Sequence, residues 1–398
     1  MDLATLDSAC KVYPAVESVS GLPASSASLT DMYILSCKPG TVFSKNPVTH
    51  IFVKLSVSAS SVTPELLEYL EPYLPQKEGE SKAELLLKRL SYAQTEYSVY
   101  EVVKHIYHSH MCPFFIRVYG VGFDCSYSQV GKFLKNVKHN LKRNIFLSLT
   151  NNAQRPAIHE DSKAEDIYQE FDARKKLRFN LLLLQYVEQP SFLELLAGGH
   201  YQEVPALIKM LFMVGYACYA LNLNNLCHRD LHLKNVLVEQ CTQRTFVLIV
   251  ETNAYKLEVT EFPRLFDFDR SKEQPCATSA QDLFYFVGFF AGLLPRDVQL
   301  ALSKCFFGVN NPFTRVVQRL LTYWKQPVQE RPTAETSYLL RQLEPLPSVL
   351  ACLATFGDIE AIPLDSAFEQ QVDVFIARRD VVDAPDVREA FLSLSRNQ

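Results

Sequence analysis

The sequence predicts an α+β chain, mainly β with one main helix over its first part, called the N-lobe below, and mainly α over the larger rest, called the C-lobe. Three observations predict it. Short apolar runs at Thr49–Val57, Phe114–Phe123 and Phe179–Glu188 read as strands, and a helix-period stretch lies between the first two. The second half opens on Val204 to Leu223, an apolar helical run with no charge after Lys209, the pattern of a helix buried on all sides. A chain of 398 residues that is 48% apolar can bury a large core, in two domains or in one two-lobed domain with extensions.

Residues 1–30, rich in Ser, Ala, Val and Pro, are expected to form an irregular lead-in. The N-lobe, residues 31–186, is expected to run strand, strand, helix, strand. Thr63 to Leu90 adds expected helix ahead of the main one, whose apolar face is drawn by Val99, Tyr100, Val103 and Ile106. Residues 124–177 read as an insertion. Lys132, Lys135, Lys138, Lys142 and Arg143 open it, an acidic stretch follows, and Arg174-Lys175-Lys176 ends it. The basic 132–143 segment is either a solvated helix face or a docking patch for an acidic protein, nucleic acid or lipid surface. The C-lobe is expected over 187–344, with an added hairpin at about 240–262 where Thr245–Val250 and Tyr255–Val259 alternate. Residues 345–398 carry helical patterning and read as a C-terminal helical extension.

A net charge of −4 gives no whole-protein case for nucleic-acid or membrane attraction. The apolar runs Met210–Leu223 and Leu283–Leu294 are shorter than the roughly 20 residues of a membrane span, so no transmembrane segment is expected. The N-terminus lacks the basic and apolar blocks of a signal peptide. Ten cysteines without C-x-x-C pairs indicate neither a zinc site nor a disulfide framework, and point to a reducing, cytoplasmic compartment.

The most informative stretch is Leu226–Val238, which reads His228-Arg229-Asp230 and then Asn235, set between an apolar helical run and a strand. The spacing suits phosphoryl transfer: one carboxylate faces an acceptor hydroxyl, and an amide one short loop later reaches a divalent cation beside the phosphates. Downstream, Arg264-Leu265-Phe266-Asp267-Phe268-Asp269 offers a second carboxylate at a turn, and a hard cation bridging phosphates takes such oxygens. Upstream, Lys54 stands alone on an apolar strand, and Glu96 or Glu101 on the following helix could pair with it. Singly, these features are those of a snorkelling lysine, an ordinary turn and a solvated glutamate. Their order along the chain is what carries the reading.

In that order, the motifs resemble those of eukaryotic-type protein kinases, and among them the divergent haspin-like and poxvirus-type kinases of serine and threonine. The resemblance implies a two-lobed, protein-kinase-like fold with insertions, and an ATP- and Mg²⁺-dependent enzyme acting on a protein substrate. It assigns Asp230 to the acceptor hydroxyl, Asn235 and Asp267 to Mg²⁺, and Lys54, held by Glu96 with Glu101 in reserve, to the α- and β-phosphates. Adenine would meet backbone near Gln185, Tyr186 and Val187, and Gly40 and Val42 would form the phosphate-covering loop. His228 and Arg229 would be structural, Asp282 would hold the catalytic loop, and Arg331 would belong to the late C-lobe motif.

The departures are informative. G-x-G-x-x-G is absent, so fewer backbone N–H groups can close over phosphates. Asp269 stands where the metal motif usually has Gly. His232 stands where serine/threonine kinases usually carry a lysine on the γ-phosphate, a histidine shared with haspin-like and with aminoglycoside- and choline-kinase-like enzymes; Lys234 could substitute. The stretch from Asp267 to Asp282 is too short for a regulated activation loop, which implies activity without its phosphorylation. The loss of regulatory segments gives the viral impression, with host cytoplasm or virion as the location. Three readings stay open: an active serine/threonine kinase, a small-molecule kinase of the aminoglycoside or choline type, and a catalytically weak or inactive kinase-shaped binding module.

Overall fold

A computed structural model describes residues 15–21, 31–43, 46–61, 81–126, 178–201, 203–271, 276–308, 314–367 and 372–378, with a few isolated positions between them. The chain is mixed α+β and divides into two compact units, one rich in sheet and one largely helical. Unit 1 comprises residues 1–104 and 117–186; unit 2 comprises 105–116 and 187–398.

Unit 1 is built on a five-stranded antiparallel sheet in the order β1-β2-β5-β7-β6, from β1 (Val16–Gly21), β2 (Asp31–Cys37), β5 (His50–Val57), β6 (Val118–Ser126) and β7 (Arg178–Gln185). The short strands β3 (Val42–Phe43) and β4 (Asn46–Pro47) pair with each other on the way from β2 to β5. Helix α1 (Lys82–His108) follows β5 and buries Tyr97, Val99, Tyr100, Val103 and Ile106, the stripe expected at helical spacing. The lead-in is not wholly irregular, because Val16–Gly21 pairs with β2. Its alternation is carried by Val and Ser, so a serine-rich composition hides a strand whose ladder partner is supplied from elsewhere. The insertion begins after Ser126, since residues 124–126 belong to β6. It joins neighbouring antiparallel strands that are still paired at Ser126↔Arg178, where added length costs only loop closure. The basic 132–143 segment and most of 63–80 lie outside the described residues.

Unit 2 centres on α3 (Val204–Leu223), preceded by α2 (Phe192–Ala197) and buried along nearly its whole length. Among the described residues it is the one helix long and apolar enough to cross a membrane, and 78% of that stretch is buried within the protein, as in a core helix. The helix is longer than the uncharged run Met210–Leu223 because Val204–Lys209, with one charge, continues it N-terminally. A long hairpin follows, β8 (Val236–Val250) with β9 (Asn253–Leu265), wider than the 240–262 expected because it continues down to Val236↔Leu265, next to Asn235.

The remaining helices are α4 (Gln281–Gly288), α5 (Arg296–Phe307), α6 (Thr314–Lys325), α7 (Thr333–Leu340) and α8 (Leu346–Phe356). Gly215 of α3 lets α8 and α4 approach, since a Cβ there would meet Leu350 at 2.9 Å and Leu283 at 3.0 Å. Residues 345–398 are not a helical extension alone. After α8 come β10 (Glu360–Ile362), α9 (Leu364–Ala367) and β11 (Asp373–Ala377), which complete a sheet in the order β10-β9-β8-β11. β11 pairs in parallel with Phe246–Val250, a long-range partner that local patterning cannot reveal. The Tyr216 hydroxyl donates to the carbonyls of Ile249 and Phe375, tying α3 to both strands.

Candidate active site

In unit 1, Lys54 lies on β5 opposite Met32 and Leu182, in the middle of the sheet, where β5 is buried continuously from Val53 to Val57. Its Nζ donates to Glu96 Oε1 at 2.6 Å, with side chains 10% and 4% exposed. Glu101 is exposed on α1, so the choice between the two glutamates goes to Glu96. Ion pairs this buried survive only when both charges are present, because either alone would be desolvated without compensation.

Gly40 and Val42 are a different matter. Gly40 sits at φ 80° in the turn after β2, and Val48 N–H donates to Thr41 O there. Lys54 pairs with Met32 at the other end of β2, so strand length on the order of 17 Å separates it from that turn. The pair is therefore corrected as a phosphate-covering loop beside Lys54. The connection at Lys54's end of the sheet, between β1 and β2, is residues 22–30, outside the described residues. Gln185 is also partly corrected: its N–H donates to Arg117 O at 2.8 Å, so that N–H is not open to a purine. Tyr186, whose ring lies 5.7 Å from that of His50, follows the last ladder pair and ends unit 1. Val187, half-buried, begins unit 2.

In unit 2 the loop between α3 and β8 is fixed from below by Asp282. Its carboxylate, almost wholly buried at the start of α4, accepts from His228 N at 2.7 Å and Arg229 N at 3.0 Å. Burial pushes the Asp282 carboxyl up, while His228 and Arg229 oppose the rise. His228 is buried with its ring 4.7 Å from that of Phe268, and its Nε2 is 3.1 Å from Phe266 O.

Asn235 Nδ2 donates to Asp230 O at 3.0 Å, and Phe266 N–H donates to Asn235 O at 3.1 Å. These bonds close the hairpin's base, Val236↔Leu265, so Asp230, Asn235 and Asp267 gather at one end of β8 and β9. Asp267 takes φ 64° and Arg229 φ 62°, left-handed conformations that disfavour side-chain-bearing residues by about 1–2 kcal/mol each. Such backbone is held only where its surroundings over-determine it, as Asp282 and the hairpin base do here.

The Asp230 carboxylate is half-buried and meets Arg270 at 3.6 Å. His232 caps the 3₁₀ turn Leu233–Asn235, its Nδ1 accepting from Lys234 N–H at 3.2 Å; the other ring nitrogen then carries the proton of the neutral ring. Its ring lies 6.2 Å from Phe289, and Lys234 is exposed. Arg331 donates to the carbonyls of Gly288 and Gln326 and lies over Tyr323.

Three features escaped sequence reasoning. Cys227 and Cys276 form a disulfide, which corrects the expectation of none. Forty-nine positions separate them, and no spacing motif marks such a pair. Their sulfurs and the Asp282 carboxylate lie within 4.8 Å of one another. Arg264 is buried, pairs with Glu239 at 2.7 Å and donates to Pro113 O and Phe115 O, tying β9 to that segment. A lone arginine in an apolar strand, Pro263-Arg264-Leu265, was the available signal. Arg270 on Asp230 had none. Compared with known proteins, the chain matches no family model and no curated protein.

Proposed function

We propose that the chain is a protein kinase that transfers the γ-phosphate of ATP to serine or threonine hydroxyls with Mg²⁺. The observation that carries the reading is the base of the β8–β9 hairpin. There the Asn235 amide is bonded to the Asp230 backbone, and its carbonyl is paired with the residue preceding Asp267. The small unit supports it too: three strands, one helix bearing the lysine's glutamate, then two more strands make the layout that the kinase-type N-lobe leads one to expect.

The donor set fits a hard divalent cation. Asn235 uses its Nδ2 on Asp230 O, which leaves its side-chain oxygen, and Asp267 adds a half-buried carboxylate. Bound Mg²⁺ would neutralise charge on the phosphates. Asp230 orients the acceptor hydroxyl and takes its proton, once its oxygen is exchanged from Arg270 to that hydroxyl. Lys54, kept charged by Glu96, serves the α- and β-phosphates. His232, with Nδ1 engaged in the cap, offers a neutral N–H donor from its far side, and exposed Lys234 supplies the positive charge. The chain between Asp267 and Asp282 leaves no room for a long regulated loop, so activity is independent of phosphorylation there.

The test is to incubate the purified chain with γ-labelled ATP and Mg²⁺, offering a generic protein acceptor or a panel of small hydroxylated compounds. Label on serine and threonine is expected. Label only on the small compounds would instead support the aminoglycoside-type reading, and no turnover at all would support a binding module.

A further inference from the structure

The Cys227–Cys276 bond lies against the carboxylate that anchors the catalytic loop. Cys227 immediately precedes His228 and is fully buried; Cys276, in the short segment after Asp267, is partly exposed. Cys227 Sγ is 3.5 and 3.4 Å from the two Asp282 oxygens, and Cys276 Sγ is 3.7 Å from one of them. At these distances a thiol donates a hydrogen bond to the carboxylate. A disulfide sulfur has no proton to donate, so oxidation removes that donor and leaves Asp282 facing sulfur lone pairs beside the His228 and Arg229 amides.

The same bond ties the loop to its neighbouring segment. Ser271 Oγ donates to His228 O, Ser271 N–H donates to Phe268 O, and the adjacent Arg270 sits on Asp230. The disulfide adds a covalent link to these bonds, six positions beyond Arg270.

We propose that Cys227 and Cys276 form a reversible thiol switch on the catalytic loop, with the dithiol form active and the disulfide form restrained. This rests on the kinase reading above for its effect on turnover, though not for its chemistry. The oxidant class is a low-molecular-weight disulfide, R–S–S–R. The Cys276 thiolate, the accessible sulfur, attacks it; one S–S bond breaks, a mixed disulfide forms and R–SH leaves after taking a proton. The Cys227 thiol then loses its proton, attacks Cys276 Sγ and expels the second R–SH. Two thiols are oxidised and one R–S–S–R is reduced to two R–SH. A dithiol reductant reverses the sequence.

The full chain is equilibrated in dithiothreitol buffers of graded oxidation. Two readouts are taken: peptide mapping of thiols after maleimide labelling, and γ-phosphate transfer to a protein acceptor. The expected result is a 227–276 disulfide that appears with oxidation and accompanies a fall in turnover of about tenfold, restored by reduction. Cys276→Ser is expected to hold the reduced level of turnover in every buffer. Amide hydrogen exchange at His228 and Arg229 is a third readout, expected to quicken on oxidation as the Asp282 anchor weakens. Thiols that stay reduced across the range overturn the proposal. So does oxidation with unchanged turnover and exchange, or a Cys276→Ser variant that responds to the buffers as the parent does. If no buffer yields turnover, the kinase reading fails, and the exchange measurement alone decides the switch.

Discussion

Each unit buries an ion pair, and the two pairs differ in what their cations hold. In the sheet-rich unit Lys54 meets Glu96, a side chain on a neighbouring helix, with both partners nearly sealed from water. In the helical unit Arg264 meets Glu239, which is 23% exposed, and it also donates to two backbone carbonyls, Pro113 and Phe115. The second pair fastens chain segments together. The first sets the Lys54 ammonium of a central strand against a glutamate borne on a helix. Burial and pairing are common to both, so neither property identifies a catalytic lysine. The difference lies in whether removing the charge breaks the fold or only the chemistry.

The largest effect that sharpens this contrast lies outside both pairs. Asp230→Ala is expected to lower phosphate transfer by about 10²–10⁴-fold, with thermal unfolding unchanged, because this half-exposed carboxylate is engaged by an exposed Arg270 in the one ion pair it makes among the described residues. Next come the paired replacements. Lys54→Met with Glu96→Gln is expected to lower turnover about 100-fold or more while changing stability by at most about 1 kcal/mol, since neutral isosteres relieve desolvation on both sides. Arg264→Met with Glu239→Gln is expected to cost about 3 kcal/mol in denaturant unfolding, because the Pro113 and Phe115 carbonyls lose a buried donor that no replacement restores. If both double variants behave alike in stability, the contrast breaks.

How much of this was legible follows from the range of each interaction. Lys54, Glu96, Asp230, Asn235 and Asp267 stand out because the proposed phosphoryl transfer needs particular residue types in a particular order, and the elements carrying them have local periodicity. Glu96 could be set above Glu101 because the apolar stripe Val99, Tyr100, Val103 and Ile106 puts position 96 on the inner face. Gly40 misled for the same reason that Val16–Gly21 was missed: strand register and neighbour order are long-range properties. A glycine before Lys54 in sequence can stand at the far end of β2. The Cys227–Cys276 bond, the β8–β11 pairing and the carbonyl cluster around Arg264 likewise join residues far apart in sequence, where no period or spacing reports them.

Two smaller effects probe how the helical unit holds its site. Tyr216→Phe removes a hydroxyl that donates to Ile249 O and Phe375 O, and is expected to cost about 1 kcal/mol and to speed amide exchange in β11. Ser191 caps α2 and forms a capping box with Glu194, whose carboxyl the Ser191 hydroxyl and N–H hold below its ordinary value. A depressed carboxyl contributes stability above its unfolded pKa and loses it as pH falls through the folded one. Ser191→Ala is therefore expected to lower Tm by about 2 °C near neutral pH and to flatten the acid limb of the stability profile. An unchanged acid limb would show that Glu194 gains nothing from the cap.

The most direct test of the central claim is transfer of labelled γ-phosphate from ATP to protein serine and threonine, measured with Mg²⁺ and with chelator, for the parent chain and for Asp267→Asn. Transfer that requires Mg²⁺ and collapses in the variant is the predicted result. Transfer that survives both chelation and Asp267→Asn, or never occurs with any acceptor, contradicts the assignment of this loop to phosphoryl transfer.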